Sequence, residues 1–393
     1  MVQKVSILGS TGSIGTQALE VCSQFNIPVH ALACSKNIDL LYRQIQLFKP
    51  EFVAVHDVIM AKNLQDRLAE ASSDYRCPVY AGDEGILAAA EDPQADMVLA
   101  AMVGLEGIKY VVAAIKSGHD IAFANKEVLV AAGDLVNELI AEHQVRLLPV
   151  DSEHSAVWQC LQTGRAEELR RIILTASGGP FRGQSRETLA SVTPEMALRH
   201  PTWSMGQKIS IDSATMMNKG LEIIEAAKLF SLRSDQIDVL IHPQSIVHSM
   251  VEWQDGSLIA QMSEPDMRLP IQLAFSWPDR WNAPQRRLDL FEAANRTLTF
   301  ESVDRTVFTA IDLAYAALET GGTMPLVLNS SNEIAVEAFL SGRLSFLGIS
   351  ETVKRCMDLH VSKGFISKPK LDDMITTDFE IRRLTKEIIG WIE

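Results

Sequence analysis

Short apolar segments alternate with helical patterns along the first 150 residues, and this alternation limits the possible folds more than any other feature of the chain. The predicted strands are Val5–Leu8, Val29–Cys34, Phe52–Val55, Met97–Ala100 and 120–124. The predicted helices between them cover residues 16–24, 38–48, 60–71 and 107–117. Strands that alternate with helices pair in parallel, because each helix returns the chain to the start of the next strand. We therefore predict an α/β domain over residues 1–150, built on a Rossmann-like, doubly wound parallel sheet.

A glycine-rich loop joins the first predicted strand to the first predicted helix. Its sequence is Gly9-Ser-Thr-Gly12-Ser-Ile-Gly15, a G-x-x-G-x-x-G spacing. Glycines let the backbone approach a pyrophosphate, whose negative charge the N-terminus of the following helix stabilises. Thr11 and Ser13 add hydroxyl donors. A tight turn without a ligand is the alternative, but the position of the loop between a strand and a helix favours a dinucleotide site.

The end of the second predicted strand indicates which dinucleotide is bound. NAD sites often place an acidic residue about 20 residues beyond the glycines, but here the segment is Cys34-Ser35-Lys36-Asn37. Without a carboxylate there, a 2′-phosphate is not repelled, and Ser35 and Lys36 are suited to bind it. Asp39 lies nearby, and Lys36 alone is equally typical of a solvent-exposed lysine. The missing acid leads us to predict NADP rather than NAD.

The pattern changes after residue 150. Strands are predicted at 239–241, 246–253 and 257–262, and Asp255-Gly256 between the last two is a strong hairpin signal. We predict an α+β catalytic domain with an antiparallel sheet over residues 151–285. A connecting segment at 286–304 then leads to a C-terminal helical domain at 305–393, with helices at 305–319, 332–341, 350–359 and 378–391.

Composition excludes several classes of function. The formal net charge of −14 disfavours binding to nucleic acid or to an anionic membrane over the whole surface. The five cysteines are dispersed without a C-x-x-C pair, which is typical of reduced thiols. No apolar run approaches the roughly 20 residues that span a bilayer, and no leader segment precedes the first strand. These features predict a soluble, cytoplasmic protein.

Acidic residues at two places indicate a metal site. Asp151 and Glu153 follow an apolar, strand-like run, and in extended backbone their side chains point the same way. Glu222, on a helix predicted to begin near Lys219, is a candidate third ligand. Three oxygen ligands favour a hard ion such as Mg²⁺ or Mn²⁺. A solvated Asp-x-Glu is the alternative, and His154 fits a supporting role better than that of a ligand.

The run from His200 to Glu222 contains groups that suit an anionic substrate. Asn218, Lys219 and Glu222 are spaced to share one helix face, and Ser213 lies just before them. Trp203 and Met205 lie between Pro201 and Gly206, which favours a flap near residues 200–208. Taken singly, each of these residues is as easily explained by capping, surface exposure or core packing; their combination favours a phosphate pocket beside the metal. Lys126, after a predicted strand of the first domain, is a further candidate.

Five motifs together resemble the 1-deoxy-D-xylulose 5-phosphate reductoisomerase family along essentially the whole chain. They are Gly9-Ser-Thr-Gly-Ser-Ile-Gly15, Ala124-Asn-Lys-Glu127, Pro149-Val-Asp-Ser-Glu-His154, Ala176-Ser-Gly-Gly-Pro-Phe181 and the run from His200 to Glu222. The resemblance implies a homodimer of V-shaped subunits that uses NADPH and Mg²⁺ or Mn²⁺, with Co²⁺ as a further option. The chain departs from the family pattern at Ser35 and at Leu328-Asn-Ser-Ser-Asn-Glu333.

The resemblance also implies roles for individual residues. The metal ligands are Asp151, Glu153 and Glu222. Catalytic roles fall on Lys126, Asp151, Glu153, His200 and Glu222. Substrate contacts fall on Ser152, Glu153, Ser177, His200, Trp203, Ser213, Asn218, Lys219 and Glu222, with Met205 in the flap. NADPH contacts fall on Thr11, Gly12, Ser13, Ile14, Ser35, Lys36, Asn37, Asn125, Lys126, Glu127 and Gly206.

The implied reaction is a skeletal rearrangement of the sugar phosphate followed by reduction with NADPH. We favour retro-aldol and aldol steps, with an α-ketol shift as the alternative. Two other functions remain open from the sequence. One is an NADP-linked reductase without rearrangement, such as a semialdehyde or homoserine dehydrogenase. The other is a catalytically silent NADP-binding protein, against which the intact Asp151, Glu153, Lys219 and Glu222 argue.

Overall fold

The computed structural model describes residues 2–70, 75–199, 206–282 and 285–391. Contacts divide the chain into two compact units. The first comprises Met1–Val128, Val136–Ser155 and Asp266–Arg286, and the second comprises Leu129–Leu135, Ala156–Pro265 and Arg287–Glu393. Residues 266–285, which we predicted as part of the catalytic domain, thus group with the first unit.

The first 161 residues alternate strands and helices. In chain order the elements are β1 (Val5–Leu8), α1 (Ser13–Phe25), β2 (Val29–Cys34), α2 (Ile38–Phe48), β3 (Phe52–Val55), α3 (Val58–Glu70), β4 (Val79–Ala81), α4 (Gly82–Glu91), β5 (Met97–Ala100), α5 (Ile108–Lys116), β6 (Asp120–Phe123), α6 (Lys126–His143), β7 (Leu147–Pro149) and α7 (Ser152–Leu161).

The seven strands form one parallel sheet in the order β4-β3-β2-β1-β5-β6-β7. This confirms the predicted doubly wound sheet. The central strands β1, β2, β3 and β5 are buried along their whole length, as expected for a sheet that helices cover on both faces. The strand order reverses between β1 and β5, so the ends of these strands border the crevice in which such sheets bind ligands.

The remaining elements, in chain order, are β8 (Leu169–Ala176), α8 (Arg186–Leu189), α9 (Pro194–Ala197), α10 (Gln207–Ala214), α11 (Met217–Phe230), β9 (Ile237–Ile241), β10 (Val247–Trp253), β11 (Leu258–Met262), α12 (Arg268–Ser276), β12 (Glu301–Ser302), α13 (Ala310–Thr320), α14 (Met324–Leu340), α15 (Phe346–Lys363) and α16 (Leu371–Ile389). Helix α12 packs on α1, β6 and β7 of the first unit. Within the described ranges, no helix combines the length and the apolar character that crossing a bilayer requires.

The second unit contains a five-stranded sheet in the order β11-β10-β8-β9-β12. Three of its four strand pairings are antiparallel, as predicted, and the fourth, which was not expected, makes the sheet mixed. Its central strand β8 was not predicted, and β8 pairs with β9 in parallel because helices connect them. The hairpin signal is confirmed: β10 and β11 are antiparallel, and Gly256 between them has φ +87°.

Helices α13 to α16 follow the sheet, and α14 contacts both α15 and α16. Helix α14 begins at Met324, eight residues before the predicted start at residue 332. The polar run Asn329-Ser-Ser-Asn332 interrupts its apolar pattern, yet all four of these side chains are fully buried. Helix α11 packs against α13 at Gly220, where a Cβ atom would lie only 3.0 Å from the Cβ atom of Ala314.

Candidate active site

The glycine loop between β1 and α1 has no room for side chains at two of its three glycines. Gly9 has φ +93°, and a Cβ atom there would lie 2.4 Å from the carbonyl oxygen of Ala101. At Gly15 a Cβ atom would lie 2.2 Å from the carbonyl oxygen of Gly9. Gly12 precedes α1 as its N-cap, where it contributes no side-chain oxygen to the first helical N–H groups. The loop therefore has the shape and the helix N-terminus that a pyrophosphate requires.

A buried glutamine fixes this loop to α2. The Ser10 hydroxyl donates to Gln44 Oε1 at 2.9 Å, and Gln44 Nε2 donates to the Ser10 carbonyl oxygen at 2.8 Å. Gln44 was not among the residues predicted from the sequence. The sequence does contain a signal for it: Gln44 is a polar residue on the apolar face of α2, beside the buried Leu41 and Ile45.

The predicted NADP-selective segment follows β2 and is exposed. Ser35, Lys36 and Asn37 all reach solvent, and the Asn37 side chain caps α2 by accepting from the Leu40 N–H at 3.2 Å. Asp39, the acid that weakened the NADP prediction, pairs with Arg67 at 2.7 Å. Its charge is therefore partly balanced, and the segment offers a hydroxyl and an ammonium group to an anion.

The segment after β6 is held by Asn125. This residue caps α6 by accepting from the Val128 N–H at 3.2 Å, and its amide donates to the Gly104 carbonyl at 3.0 Å. The next residue, Lys126, places its ammonium nitrogen 2.6 Å from Asp151 Oδ2. Both side chains are largely buried, which strengthens their attraction. The structure thus brings together two residues that we predicted from separate motifs.

The backbone at Asp151 and Glu153 differs from the prediction. Strand β7 ends at Pro149 and α7 begins at Ser152, so the predicted extended backbone is wrong, but the predicted approach of the two carboxylates is confirmed: an oxygen of Asp151 and an oxygen of Glu153 lie within 4.8 Å of each other. The Ser152 hydroxyl donates to Glu153 Oε2 at 2.5 Å. His154 is fully buried, with Nδ1 4.0 Å from Asp151 Oδ2, a position that fits the predicted supporting role.

In the second unit, the predicted helix face on α11 is confirmed. Asn218 Nδ2 lies 2.5 Å from Glu222 Oε1, and the Lys219 ammonium group donates to Glu222 Oε2. The Lys219 and Glu222 side chains are 4% and 1% exposed, so two opposite charges share a nearly dry environment. Met216 precedes the helix in the left-handed region at φ 63° and turns the chain from α10 into α11.

The turn after β8 lies against the end of α10. Gly179 has φ +64°, and a Cβ atom there would lie 2.7 Å from the Ser213 carbonyl oxygen. The Gly179 N–H donates to the Ser177 hydroxyl at 3.2 Å. The structure therefore places the Ser177 turn beside Ser213, as a shared phosphate pocket requires.

Three predicted flap residues, His200, Trp203 and Met205, lie outside the described residues. Gly206, the predicted cofactor contact that follows them, is the N-cap of α10. Asp151 and Glu153 belong to the first unit and Glu222 to the second. Their joint binding of one metal ion stays a prediction.

Comparisons with protein families cover most of the chain. The family model "1-deoxy-D-xylulose 5-phosphate reductoisomerase" matches residues 5–133. Two models of the C-terminal domain of the same enzyme match residues 147–230 and 262–384. These three matches include every predicted site residue.

Relatives and solved structures with the same description align over nearly the full length. The chain is 50% identical to the enzyme of Acetivibrio thermocellus over 99% of this chain and 100% of that protein. It is 52% identical to the enzyme of Chlorobium chlorochromatii over 91% and 93%. The Zymomonas mobilis enzyme, solved in complex with NADPH, matches with a TM-score of 0.91 and 40% identity over 100% of both chains. A reductoisomerase structure with NADPH, fosmidomycin and magnesium matches with a TM-score of 0.92 and 38% identity over 99% and 98%.

Proposed function

The chain belongs to the 1-deoxy-D-xylulose 5-phosphate reductoisomerase family, and on that premise we infer that it converts 1-deoxy-D-xylulose 5-phosphate to 2-C-methyl-D-erythritol 4-phosphate. The observation that carries this inference is the full-length match to reductoisomerases, two of which were solved with NADPH. The reaction uses NADPH and a divalent metal ion and belongs to the non-mevalonate route to isoprenoid precursors.

NADPH would supply the hydride in this proposal, and most of the residues assigned to it belong to the first unit. The glycine loop with Thr11, Gly12, Ser13 and Ile14 holds the pyrophosphate, and the exposed segment Ser35-Lys36-Asn37 holds the 2′-phosphate. The loop fits because its glycines leave backbone surface where a Cβ atom would clash. Further contacts are assigned to Asn125, Lys126, Glu127 and Gly206.

A divalent cation binds to Asp151, Glu153 and Glu222 in this proposal, and when bound it supplies Lewis-acid stabilisation of negative charge on the substrate oxygens. The donor set fits Mg²⁺ or Mn²⁺, with Co²⁺ as a further option, because all three groups are carboxylates. The ammonium groups of Lys126 and Lys219 support the fit, since each lies beside one of the carboxylates and offsets part of the negative charge of the donor set.

The substrate phosphate is assigned to Ser177, Ser213, Asn218 and Lys219. Two hydroxyls, an amide and an ammonium group are suitable donors for its oxygens, and Asn218 and Lys219 lie in the first turn of α11, where backbone N–H groups also attract anions. Ser152 and Glu153 are assigned to the sugar oxygens. The role of a flap that excludes water from the bound substrate is assigned to His200, Trp203 and Met205.

Within this site, Lys126 has the position of an electrostatic stabiliser. Its ammonium nitrogen lies at the start of α6, beside Asp151, and can donate to a substrate oxygen as that oxygen gains negative charge. Phosphate binding remote from the reacting carbons supplies binding energy that can close the flap and orient the substrate.

The full-length match favours this function over the two alternatives. A simple NADP-linked reductase would not need the Asp151, Glu153 and Glu222 set, and a silent binding protein would not need to keep Lys219 buried beside Glu222. We further propose a cytoplasmic homodimer of subunits with three domains: NADP-binding (1–150), catalytic (151–285, of which the stretch from 266 groups with the first unit) and C-terminal helical (305–393), the last two joined by the segment 286–304.

The test is to follow NADPH oxidation with 1-deoxy-D-xylulose 5-phosphate, with Mg²⁺, with Mn²⁺ and with a chelator. We expect turnover that requires both the sugar phosphate and the metal ion, and 2-C-methyl-D-erythritol 4-phosphate as the product. Metal-independent oxidation would favour the simple reductase. NADPH binding without any turnover would favour the silent protein.

A further inference from the structure

A buried carboxylate lies directly before the predicted phosphate ligand Ser213. Asp212, on α10, is 1% exposed. Its Oδ2 pairs with Lys208 Nζ at 2.8 Å, and its Oδ1 accepts a hydrogen bond from Asn332 Nδ2 at 2.8 Å. An ionised carboxylate at this depth needs such partners, because burial without them strongly disfavours the charge.

Asn332, which makes this hydrogen bond, is distant from Asp212 in the sequence. It lies on α14, 120 residues from Asp212, and is fully buried. Helices α10 and α14 contact each other, and Ile211 belongs to the same apolar core as Phe339 of α14. The Asn332–Asp212 bond is thus a directional polar contact within an otherwise apolar packing of two helices, and such a contact defines the relative position of the helices more narrowly than apolar packing does.

The neighbouring polar side chains of α14 make different contacts. Asn329 donates to Glu333 at 3.0 Å on the same helix, Ser330 donates to Asp378 of α16 at 2.5 Å, and Ser331 donates to a carbonyl oxygen of α14 itself. Within the described part of the chain, Asn332 is the one of these four side chains that donates a hydrogen bond to α10. The polar run thus contains one residue that is directed at the predicted phosphate pocket, and a near-identical residue, Asn329, that is not.

We propose that Asn332 is a positioning residue for substrate phosphate binding. It acts through Asp212: by fixing this carboxylate it fixes the end of α10, where Ser213 lies, and the turn that leads through Met216 into α11. The proposal rests on the assignment of the sugar-phosphate group to Ser213, Asn218 and Lys219. It assigns a role to the Leu328–Glu333 motif, which the sequence analysis noted only as a departure from the family pattern.

The test compares Asn332→Ala with Asn329→Ala as a matched control, since both remove a buried carboxamide from α14. We expect Asn332→Ala to raise the KM for 1-deoxy-D-xylulose 5-phosphate severalfold and up to about tenfold, because the free energy of one hydrogen bond sets the upper limit of what the Asn332–Asp212 contact can transmit to the pocket. The KM for NADPH and kcat should change by less than about twofold. Asn329→Ala should leave all three constants near their wild-type values. Equal changes of KM in the two variants would overturn the proposal.

Asn332→Leu keeps most of the side-chain volume without the donor and serves as the second variant if the alanine variant does not fold. A second measurement needs no turnover: the rise in Tm that inorganic phosphate causes. We expect phosphate to stabilise the wild type and Asn329→Ala more than either Asn332 variant. The proposal would be overturned if phosphate stabilised the Asn332 variants as much as the wild type, or if it did not stabilise the wild type. If the wild type were inactive but phosphate still stabilised it more than the Asn332 variants, only the assigned reaction would be contradicted.

Discussion

Lys126 holds its ammonium nitrogen 2.6 Å from Asp151 Oδ2, and the second unit repeats this arrangement with Lys219 and Glu222. In each unit a lysine therefore accompanies a carboxylate that we assign to the metal site. The lysines balance the negative charge before a metal ion arrives, which reduces the repulsion expected among acidic ligands.

Replacing Glu153 by glutamine should remove a metal ligand and leave the fold intact. Loss of a residue that only supports a ligand costs 10- to 100-fold in activity, so loss of the ligand itself should lower kcat/KM by at least about 100-fold. NADPH binding, followed by fluorescence titration, should stay at the wild-type level. Glu167→Gln, at an exposed carboxylate, is the control. Near-normal turnover of Glu153→Gln with Mg²⁺ would remove Glu153 from the metal site.

Replacing Lys219 by alanine should destabilise the metal-free protein, because Glu222 would remain buried without its cation. Removal of one partner of a buried pair costs about 3–5 kcal/mol. Denaturant unfolding should show this loss in chelator, and Mg²⁺ or Mn²⁺ should restore part of it by binding to Glu222. The KM for the sugar phosphate should also rise. The control is Lys228→Ala on the same helix, whose partner Asp134 is exposed; it should show neither effect. If metal ions did not reduce the stability loss of Lys219→Ala, the assignment of Glu222 to the metal site would be contradicted.

Replacing Gln44 by leucine should weaken NADPH binding. The substitution removes both hydrogen bonds that join α2 to Ser10 of the glycine loop, and we expect the Kd for NADPH to rise about five- to tenfold. Gln46→Leu, at an exposed position of the same helix, is the matched control. An unchanged Kd in a folded Gln44→Leu protein would mean that the loop keeps its position without this contact.

Replacing Ser35 by aspartate should reduce the preference for NADPH over NADH. A carboxylate at the end of β2 repels a 2′-phosphate and can accept from the 2′-hydroxyl of NADH. The ratio of kcat/KM for the two cofactors should fall by at least about tenfold. Ser117→Asp, at the exposed end of α5, adds the same charge as a control. If the ratio of kcat/KM for NADPH and NADH did not change, the 2′-phosphate would have to bind at another position.

Acid should destabilise the first unit partly through Asp83. Hydrogen bonds from Lys109 and Tyr110 lower the pKa of Asp83 to about 2. Because this folded-state pKa lies below the unfolded value of about 4, the contribution to stability is present above pH 4 and is lost as the pH falls towards 2. Asp83→Asn should lower Tm at neutral pH and flatten the decline of Tm between these values. The control is Asp66→Asn, at an exposed ion pair with Lys62; its Tm should fall between pH 4 and pH 2 as that of the wild type does.

The structural features that the sequence predicted correctly depend on local geometry. Gly9 and Gly15 are required by contacts within one loop, and Asn218, Lys219 and Glu222 share a face because the helix period brings them together. The strand β8 was missed because Arg170 and Arg171 interrupt its apolar pattern. In the sheet, Arg171 pairs with Glu252 on β10 and with Asp238 on β9, which compensates its partial burial.

The errors and omissions at the site have tertiary causes. Asp151 and Glu153 are two residues apart in the sequence whether the backbone is a strand or a helix. The sequence pattern therefore did not reveal that α7 begins between them. The partners of Ser10 and Asp212 lie 34 and 120 residues away. Such pairings depend on how the elements pack, and a single sequence does not give that packing directly.

The crowding at Gly15 bears on how this chain is able to diverge. The atom that excludes a side chain there is the Gly9 carbonyl oxygen, which belongs to the protein itself. A descendant that abandoned NADPH would still need glycine at position 15 to keep the β1–α1 turn. The exposed Ser35 and Lys36 face no such requirement from the surrounding packing, whereas Asn37 also caps α2. A lineage that changed its cofactor would therefore record the change at positions 35 and 36 long before it altered the glycines.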